Sequence, residues 1–209
     1  KRVEVFTALI LSGIIFKEYE ENYNFAIAEL KKFVKSNFDS KGFPLTRNPN
    51  DLVFLTKYLV LCRETIKEAQ QYSPEFLDNI VKKSLECLKN MRTPLNQLPL
   101  FNGGSKIDLG NFEKHLENLK TSKQDVIGQI FHLKFKQHEL YFDIGSPPSK
   151  SFSNNYQSGP LSFEYFLDGV KIITNCGFGK NISTKAELIS RLTASQSTLT
   201  INDTSITKF

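Results

Sequence analysis

The feature that most constrains this chain is a change in hydrophobic period near residue 125. Before it, apolar residues recur at three-four spacing; after it, they recur at every second position. Helices and pleated strands bury their apolar residues in different ways, so one chain must build two kinds of layer. The pattern predicts an α+β chain of two domains, helical over residues 1–122 and antiparallel β over 126–209. The boundary falls at Thr121 to Asp125. A length of 209 residues with 40% hydrophobic content can supply a core to both parts.

In the first half, Val3, Phe6, Leu9, Ile10 and Ile14 follow the helical spacing, while Leu11 and Ile15 make the segment apolar nearly all round. Burial on most sides is expected of such a helix. A second helix over Tyr23 to Phe38 is one-sided, with Ala26, Ile27, Leu30 and Val34 inward. Asp51 is placed to cap a third, whose stripe is Leu52, Leu55, Leu59, Cys62 and Ile66. Ser73-Pro74 opens a fourth, Ser73 as cap, carrying Leu77, Ile80, Val81, Leu85, Leu88 and Met91. A short fifth holds Phe112, Leu116 and Leu119. Consecutive helices with short connections fit a bundle, a solenoid or an α/α toroid; no fixed repeat is evident.

In the second half, Phe131, Leu133 and Phe135 alternate with His132, Lys134 and Lys136, and Leu140, Phe142 and Ile144 alternate with Glu139, Tyr141 and Asp143. Gln137-His138 is read as the turn between these strands. Leu161, Phe163, Tyr165 and Leu167 alternate again, and Asp168-Gly169 signals a tight hairpin into Val170 to Thr174. Thr193 to Ile201 is expected to add a further strand. These strands make an antiparallel sheet, half of a sandwich. The absent initiator Met and the last strand-like run ending near Phe209 suggest a piece cut at both ends.

Composition narrows the functional classes. The formal charge is +5, and the basic excess is shared by both halves. A nucleic-acid-binding face needs a concentrated basic patch, so no nucleic-acid partner is expected. The run from Val5 to Phe16 lacks the flanks of a signal peptide and is too short to span a bilayer, so membrane insertion is not expected. Cys62, Cys87 and Cys176 match neither a disulfide framework nor a zinc knuckle. Three histidines, His115, His132 and His138, do not cluster; the last two flank a presumed turn, either approaching each other or standing exposed on their strands.

Two loops concentrate polar groups between helices. Arg47, in Gly42-Phe43-Pro44-Leu45-Thr46-Arg47-Asn48-Pro49, either pairs with a carboxylate or sits on the surface of a turn. Phe101-Asn102-Gly103-Gly104 either admits a ligand close to its backbone or only turns sharply. No nucleophile elbow and no metal-ligand spacing is present.

The stretch from Asn154 to Asp203 is more specific. It reads Asn155-Tyr156-Gln157-Ser158-Gly159-Pro160-Leu161-Ser162-Phe163-Glu164, then Ile173-Thr174-Asn175-Cys176-Gly177, then Arg191-Leu192-Thr193-Ala194-Ser195-Gln196-Ser197-Thr198. In order and character this resembles the start of the C-terminal β-domain of the heparinase II/III family. Arg47-Asn48-Pro49 and Phe101-Asn102-Gly103-Gly104 resemble loops of that family's α/α-toroid, and Asp143 to Pro148 resembles the linker after its second strand. The resemblance covers most of the chain. It implies α/α-toroid-type helical hairpins followed by an antiparallel β-sandwich-type domain, both incomplete.

The resemblance also implies a polysaccharide lyase, a carbon-oxygen lyase that cleaves an acidic polysaccharide by β-elimination at a uronate. Such a reaction needs a base, and donors aimed at the developing negative charge. By this likeness Tyr156, Gln157 and Gln196 take the catalytic positions, with Tyr156 as base if its pKa is strongly lowered. Arg47, Asn48, Asn102, Asn155 and Asn175 take the substrate-binding ones, in a cleft between the helical layer and the sheet. Gln157, Gln196 and Asn175 stand where relatives carry histidines and an aspartate. No zinc or other cofactor is therefore expected, although some relatives bind zinc. The same replacements motivate an alternative, a non-catalytic glycan-binding or structural relative. Relatives place this chemistry in the cell envelope or periplasm.

Overall fold

The structure, a computed structural model, describes residues 2–206; Lys1 and the last three positions of the expected 126–209 part lie outside the described residues. Four long helices come first: α1 (Arg2–Ile15), α2 (Glu20–Asn37), α3 (Pro49–Glu68) and α4 (Glu75–Met91). α1 packs on α2 and α3, and α3 packs on α4. Gly13 permits the tight join between α1 and α2, because a Cβ there would lie 2.7 Å from Tyr23 Cβ and 2.9 Å from the Tyr19 carbonyl. Leu30, Leu52, Leu59, Ile66, Leu77 and Leu88 are fully buried, as their stripes predict. Each contributes roughly 1.5–3 kcal/mol relative to exposure.

Three details differ from expectation. α1 buries only Val3, Thr7 and Ile10, while Val5 and Ile15 are exposed, because α2 and α3 cover one flank of it. Asn48, not Asp51, caps α3: its side chain accepts from the Asn50 N–H at 2.9 Å and Pro49 takes the first helical position. α4 begins after Pro74 with no side-chain cap, and the Ser73 hydroxyl is buried without a partner. No helix among the described residues is long and apolar enough to cross a membrane.

A short α5 (Glu113–Glu117) packs on α4 and leads to a five-stranded antiparallel meander. Its strands are β1 (Val126–Ile127), β2 (Ile130–Phe135), β3 (His138–Asp143), β4 (Phe163–Leu167) and β5 (Val170–Ile173). Asp168 and Gly169 both adopt left-handed backbone, giving the β4–β5 hairpin the turn their sequence calls for. The β2–β3 turn is Lys136-Gln137, one residue earlier than expected, because His138 already pairs with Phe135.

The sheet turns its polar set inward. Glu139, Tyr141, Asp143, Glu164 and Phe166 are buried beneath the helical layer, whereas Leu133, Phe135, Val170 and Ile172 are exposed on the other face. Period alone identifies two faces but does not say which is covered. His132 shares the inward face with Tyr141, its cross-strand partner, and His138 lies on the outward one, so the two histidines do not approach. His132 stacks on Tyr141 with its Nε2 2.9 Å from Glu139 Oε1; His138 Nδ1 lies 2.6 Å from the Tyr165 hydroxyl.

The strand expected at Thr193 to Ile201 is not formed. A helix α6 (Thr184–Arg191), capped by Ser183, precedes a 3-10 turn at Thr193–Ser195. The segment after that turn bonds to side chains and loops instead of extending a ladder: Ser197 N and Oγ both donate to Asn175 Oδ1 at 3.0 Å.

Candidate functional site

The helical layer presents its loop 39–48 to the sheet because α4 and Asp39 hold that loop in place. Asp39 Oδ1 accepts from the N–H groups of Lys41 and Phe43 at 2.9 and 2.8 Å, and Ser84 Oγ donates to the Gly42 carbonyl at 3.0 Å. Phe43, fully buried, lies against Gly128 at the β1–β2 turn, where a Cβ would strike its ring.

Arg47 follows with φ +56, a left-handed conformation uncommon for a side-chain-bearing residue. That conformation accompanies a guanidinium buried in the sheet. Nη2 pairs with Asp143 Oδ1, Nη1 donates to the Ser146 carbonyl at 2.7 Å, and Nε donates to the Gly128 carbonyl at 3.3 Å. Arg47 therefore joins the two layers, and its charge is already matched by Asp143. Burial pushes the Asp143 carboxyl up, while Arg47 and the Gly145 N–H, 3.0 Å away, oppose that shift.

Beside this pair lies a polar cavity of about 190 Å³. Asn48, Asn102, Asn155 and Tyr156 line it, so four of the expected site residues come together. Thr46, Asp51, Ser151, Phe152 and Asn154 complete the wall. Asn48 arrives on the cap of α3, Asn102 on the loop after α4, and Asn155 and Tyr156 on the segment before β4. Gly103, at φ +91, lets these segments meet: a Cβ would sit 2.6 Å from the Asn155 carbonyl and 3.0 Å from Asn48 Nδ2. Asn102 Nδ2 donates to the Arg47 carbonyl at 3.2 Å, tying the loop to the ion pair.

Two groups that line the cavity titrate. Burial pushes the Asp51 carboxyl up, opposed by a hydrogen bond from Thr46. Tyr156 is pushed up to about 12, by burial first and by the Asp143 charge second. Its hydroxyl feels Arg47 and Asp143 without a well-aligned bond to either. The strongly lowered pKa required of Tyr156 as a base is thus contradicted: desolvation disfavours the phenolate.

The remaining expected residues stand elsewhere. Arg47 lines an adjoining cavity of about 320 Å³ with Pro44, Leu45, Pro147 and Pro148, and Phe152 borders both cavities. Gln157 is fully buried, with its Oε1 on the Gly103 N–H at 3.0 Å and its Nε2 on the Gly177 and Ser190 carbonyls at 2.8 and 2.7 Å. Gln196 Nε2 reaches the Ser190 carbonyl at 2.8 Å. Asn175 is buried and holds Ser197 through Oδ1, while its Nδ2 has no partner. None of these three amides lines the 190 Å³ cavity.

Zinc does not fit these residues. The atoms that converge on the Ser190 carbonyl are protonated amide nitrogens, which donate and do not ligate. Among the described residues, no three His, Cys, Asp or Glu side chains could hold a metal ion together.

Sequence reasoning missed Asp51 as a wall residue, having assigned it to a cap. It also missed Thr46 and Phe152, which line the same cavity from distant parts of the chain and leave no local signal.

Comparison with known proteins gives one family match, over the β part, and structural matches over nearly the whole chain. Residues 124–209 match the family described as heparinase II/III-like, C-terminal. A search of curated proteins found no match. Heparinase III superposes with a TM-score of 0.76 at 14% identity, covering 97% of this chain and 39% of that one. A second heparinase III gives 0.78 at 13% identity, covering 96% and 36%. The heparan sulfate lyase HepC of Pedobacter heparinus gives 0.74 at 14% identity, covering 98% and 37%. The chain thus spans less than two-fifths of the length of the solved proteins it matches. Residues 124–209 are thus similar in sequence to the heparinase II/III-like C-terminal family, and nearly the whole chain shares the fold of the solved heparinases.

Proposed function

We propose that this chain supplies the sugar-binding cleft of a polysaccharide lyase, and that the cleft takes a uronate of an acidic polysaccharide. The observation that carries the proposal is the convergence of Asn48, Asn102, Asn155 and Tyr156 on one cavity between the layers. Carboxamides donate hydrogen bonds without adding charge, which suits a uronate carboxylate whose charge grows as the neighbouring proton leaves. Tyr156, a neutral phenol at neutral pH, acts as proton donor to the departing glycosidic oxygen. Asp51, its carboxyl raised by burial, is the proton acceptor this wall offers. Arg47 acts through position: it is matched by Asp143 and orients the loop carrying Asn48. Gln157, Gln196 and Asn175 act behind the cavity.

The same reading extends to the missing layers. The exposed apolar face of β2 and β5 fits a second sheet, completing a sandwich, and the open flank of α1 fits further hairpins of a toroid. Both would come from the rest of the protein, which also contributes to activity.

A second reading is favoured by the absence of any histidine from the wall of the cavity and by the engagement of Gln157 with backbone. In it the cleft binds glycan without cleaving it. Incubating the full-length protein with a panel of uronate polysaccharides decides between the two. An unsaturated product, seen by ultraviolet absorbance, supports the lyase. Retention without product supports the binding module. Neither retention nor product sinks both.

A further inference from the structure

Behind the sugar cavity, one side chain ties together three segments that share no secondary structure. Gln157 has two N–H donors and an acceptor oxygen. The oxygen takes the Gly103 N–H on the loop after α4; the two N–H groups go to the Gly177 carbonyl beyond β5 and the Ser190 carbonyl near the end of α6. Its orientation is fixed by these partners, since an amide N–H demands Oε1 and two carbonyls demand Nε2. Gln196 donates to the same Ser190 carbonyl, filling its second lone pair, and Cys176 Sγ lies 3.8 Å from it. Three side chains thus gather at one point, as ligands gather at a metal, yet the point is a backbone oxygen.

We propose that Gln157, assisted by Gln196, is a metal-free clamp that positions the wall of the sugar cavity. The route runs through Gly103. This residue has room for no side chain because it is pressed between Asn155 and Asn48, and its neighbour Asn102 lines the cavity. Holding the Gly103 N–H from behind sets where the three asparagines stand relative to one another. Loosening it leaves all three present but unregistered, and misplacement of about 1 Å in a binding constellation is costly. The proposal deepens the reading of the cavity as a glycan site and rests on it for its consequence, though not for the clamp itself.

Full-length protein and two variants test this by backbone hydrogen exchange and by titration with a uronate oligosaccharide. In Gln157→Glu the carboxylate still accepts from Gly103 but sets oxygen against two carbonyls. Exchange should therefore rise about tenfold around Gly177 and Ser190 and stay low at Gly103. In Gln157→Ala exchange should rise at all three, and glycan affinity should fall about tenfold or more, with the Glu variant between it and the native protein. Uniform loosening in both variants, or a Gly103 amide indifferent to Gln157→Ala, overturns the clamp. If neither variant folds, a chelator on the native protein decides: unchanged exchange is expected, and loosening at Gly103 would mean that a metal holds it. Selective loosening in a native protein that binds no uronate would keep the clamp and remove the glycan reading.

Discussion

The helical layer and the inward face of the sheet are both buried, but they are held by different forces. Where α3 packs on its helical neighbours the core is apolar and includes Leu52, Leu59, Leu77 and Leu88. Under the sheet it is Glu139, Tyr141, Asp143 and Glu164, each with a polar partner: His132 and Lys134 on Glu139, the Tyr141 hydroxyl donating to Glu139 at 2.6 Å, Arg47 on Asp143 Oδ1, and Lys171 on Glu164 at 2.9 Å. Apolar burial is non-directional and holds layers together. Paired polar groups contribute little net stability but fix geometry, because any other arrangement strands a charge. The polar contact lies next to the cavity, where orientation matters most.

This contrast can be broken by substitution. Arg47→Ala leaves Asp143 buried and unpaired, and unfolding in denaturant should show a loss of about 3–5 kcal/mol. Leu59→Ala, in the apolar contact, should cost about 2–5 kcal/mol. The difference lies in rescue: Arg47→Met with Asp143→Leu should recover most of the stability while abolishing glycan binding. Recovery of binding along with stability would show that the pair positions nothing.

Acid separates the two regions further. Burial pushes the Glu139 carboxyl up, but hydrogen bonds from His132, Tyr141 and Lys134 outweigh it and hold the group at about 2, against an ordinary value of 4.5. A depressed folded pKa means the carboxylate stabilises the fold above pH 4.5 and that this contribution is lost as pH falls from there toward 2. The size is on the order of 2–3 kcal/mol. Glu139→Gln should flatten the pH dependence of unfolding across this window; an unchanged slope would remove Glu139 from the account. The smallest effect is expected from Tyr156→Phe. Its hydroxyl has no aligned partner, so the unfolding midpoint should stay within about 0.5 kcal/mol of the native value. Product formation, where it occurs, should fall sharply.

The same contrast governs how much was legible in the sequence. Helices α1 to α4 and the Asp168-Gly169 hairpin follow from periodicity and turn chemistry, which are local. The change from helices to strands near residue 125 was legible for the same reason, β1 beginning at Val126. The covered face of the sheet was not, because period identifies two faces without saying which meets another layer. The strand expected at Thr193 to Ile201 failed because the Ser197 hydroxyl bonds to Asn175 and Phe163 and the Thr198 hydroxyl to the Pro160 carbonyl, a choice that depends on distant residues. At the site, Asn48, Asn102, Asn155 and Tyr156 were named from resemblance and meet at one cavity. Gln157 was named for chemistry it is too enclosed to perform, since its burial was invisible from its neighbours in the chain.

The central claim is that the cavity between the layers holds a uronate through its asparagines. The most direct test is calorimetric titration of the full-length protein with a uronate oligosaccharide, native against Asn155→Ala, beside unfolding of each. The account predicts at least about tenfold weaker binding, the loss of one or two charge-assisted hydrogen bonds, with the unfolding midpoint unchanged. Equal affinity in the two proteins would contradict it.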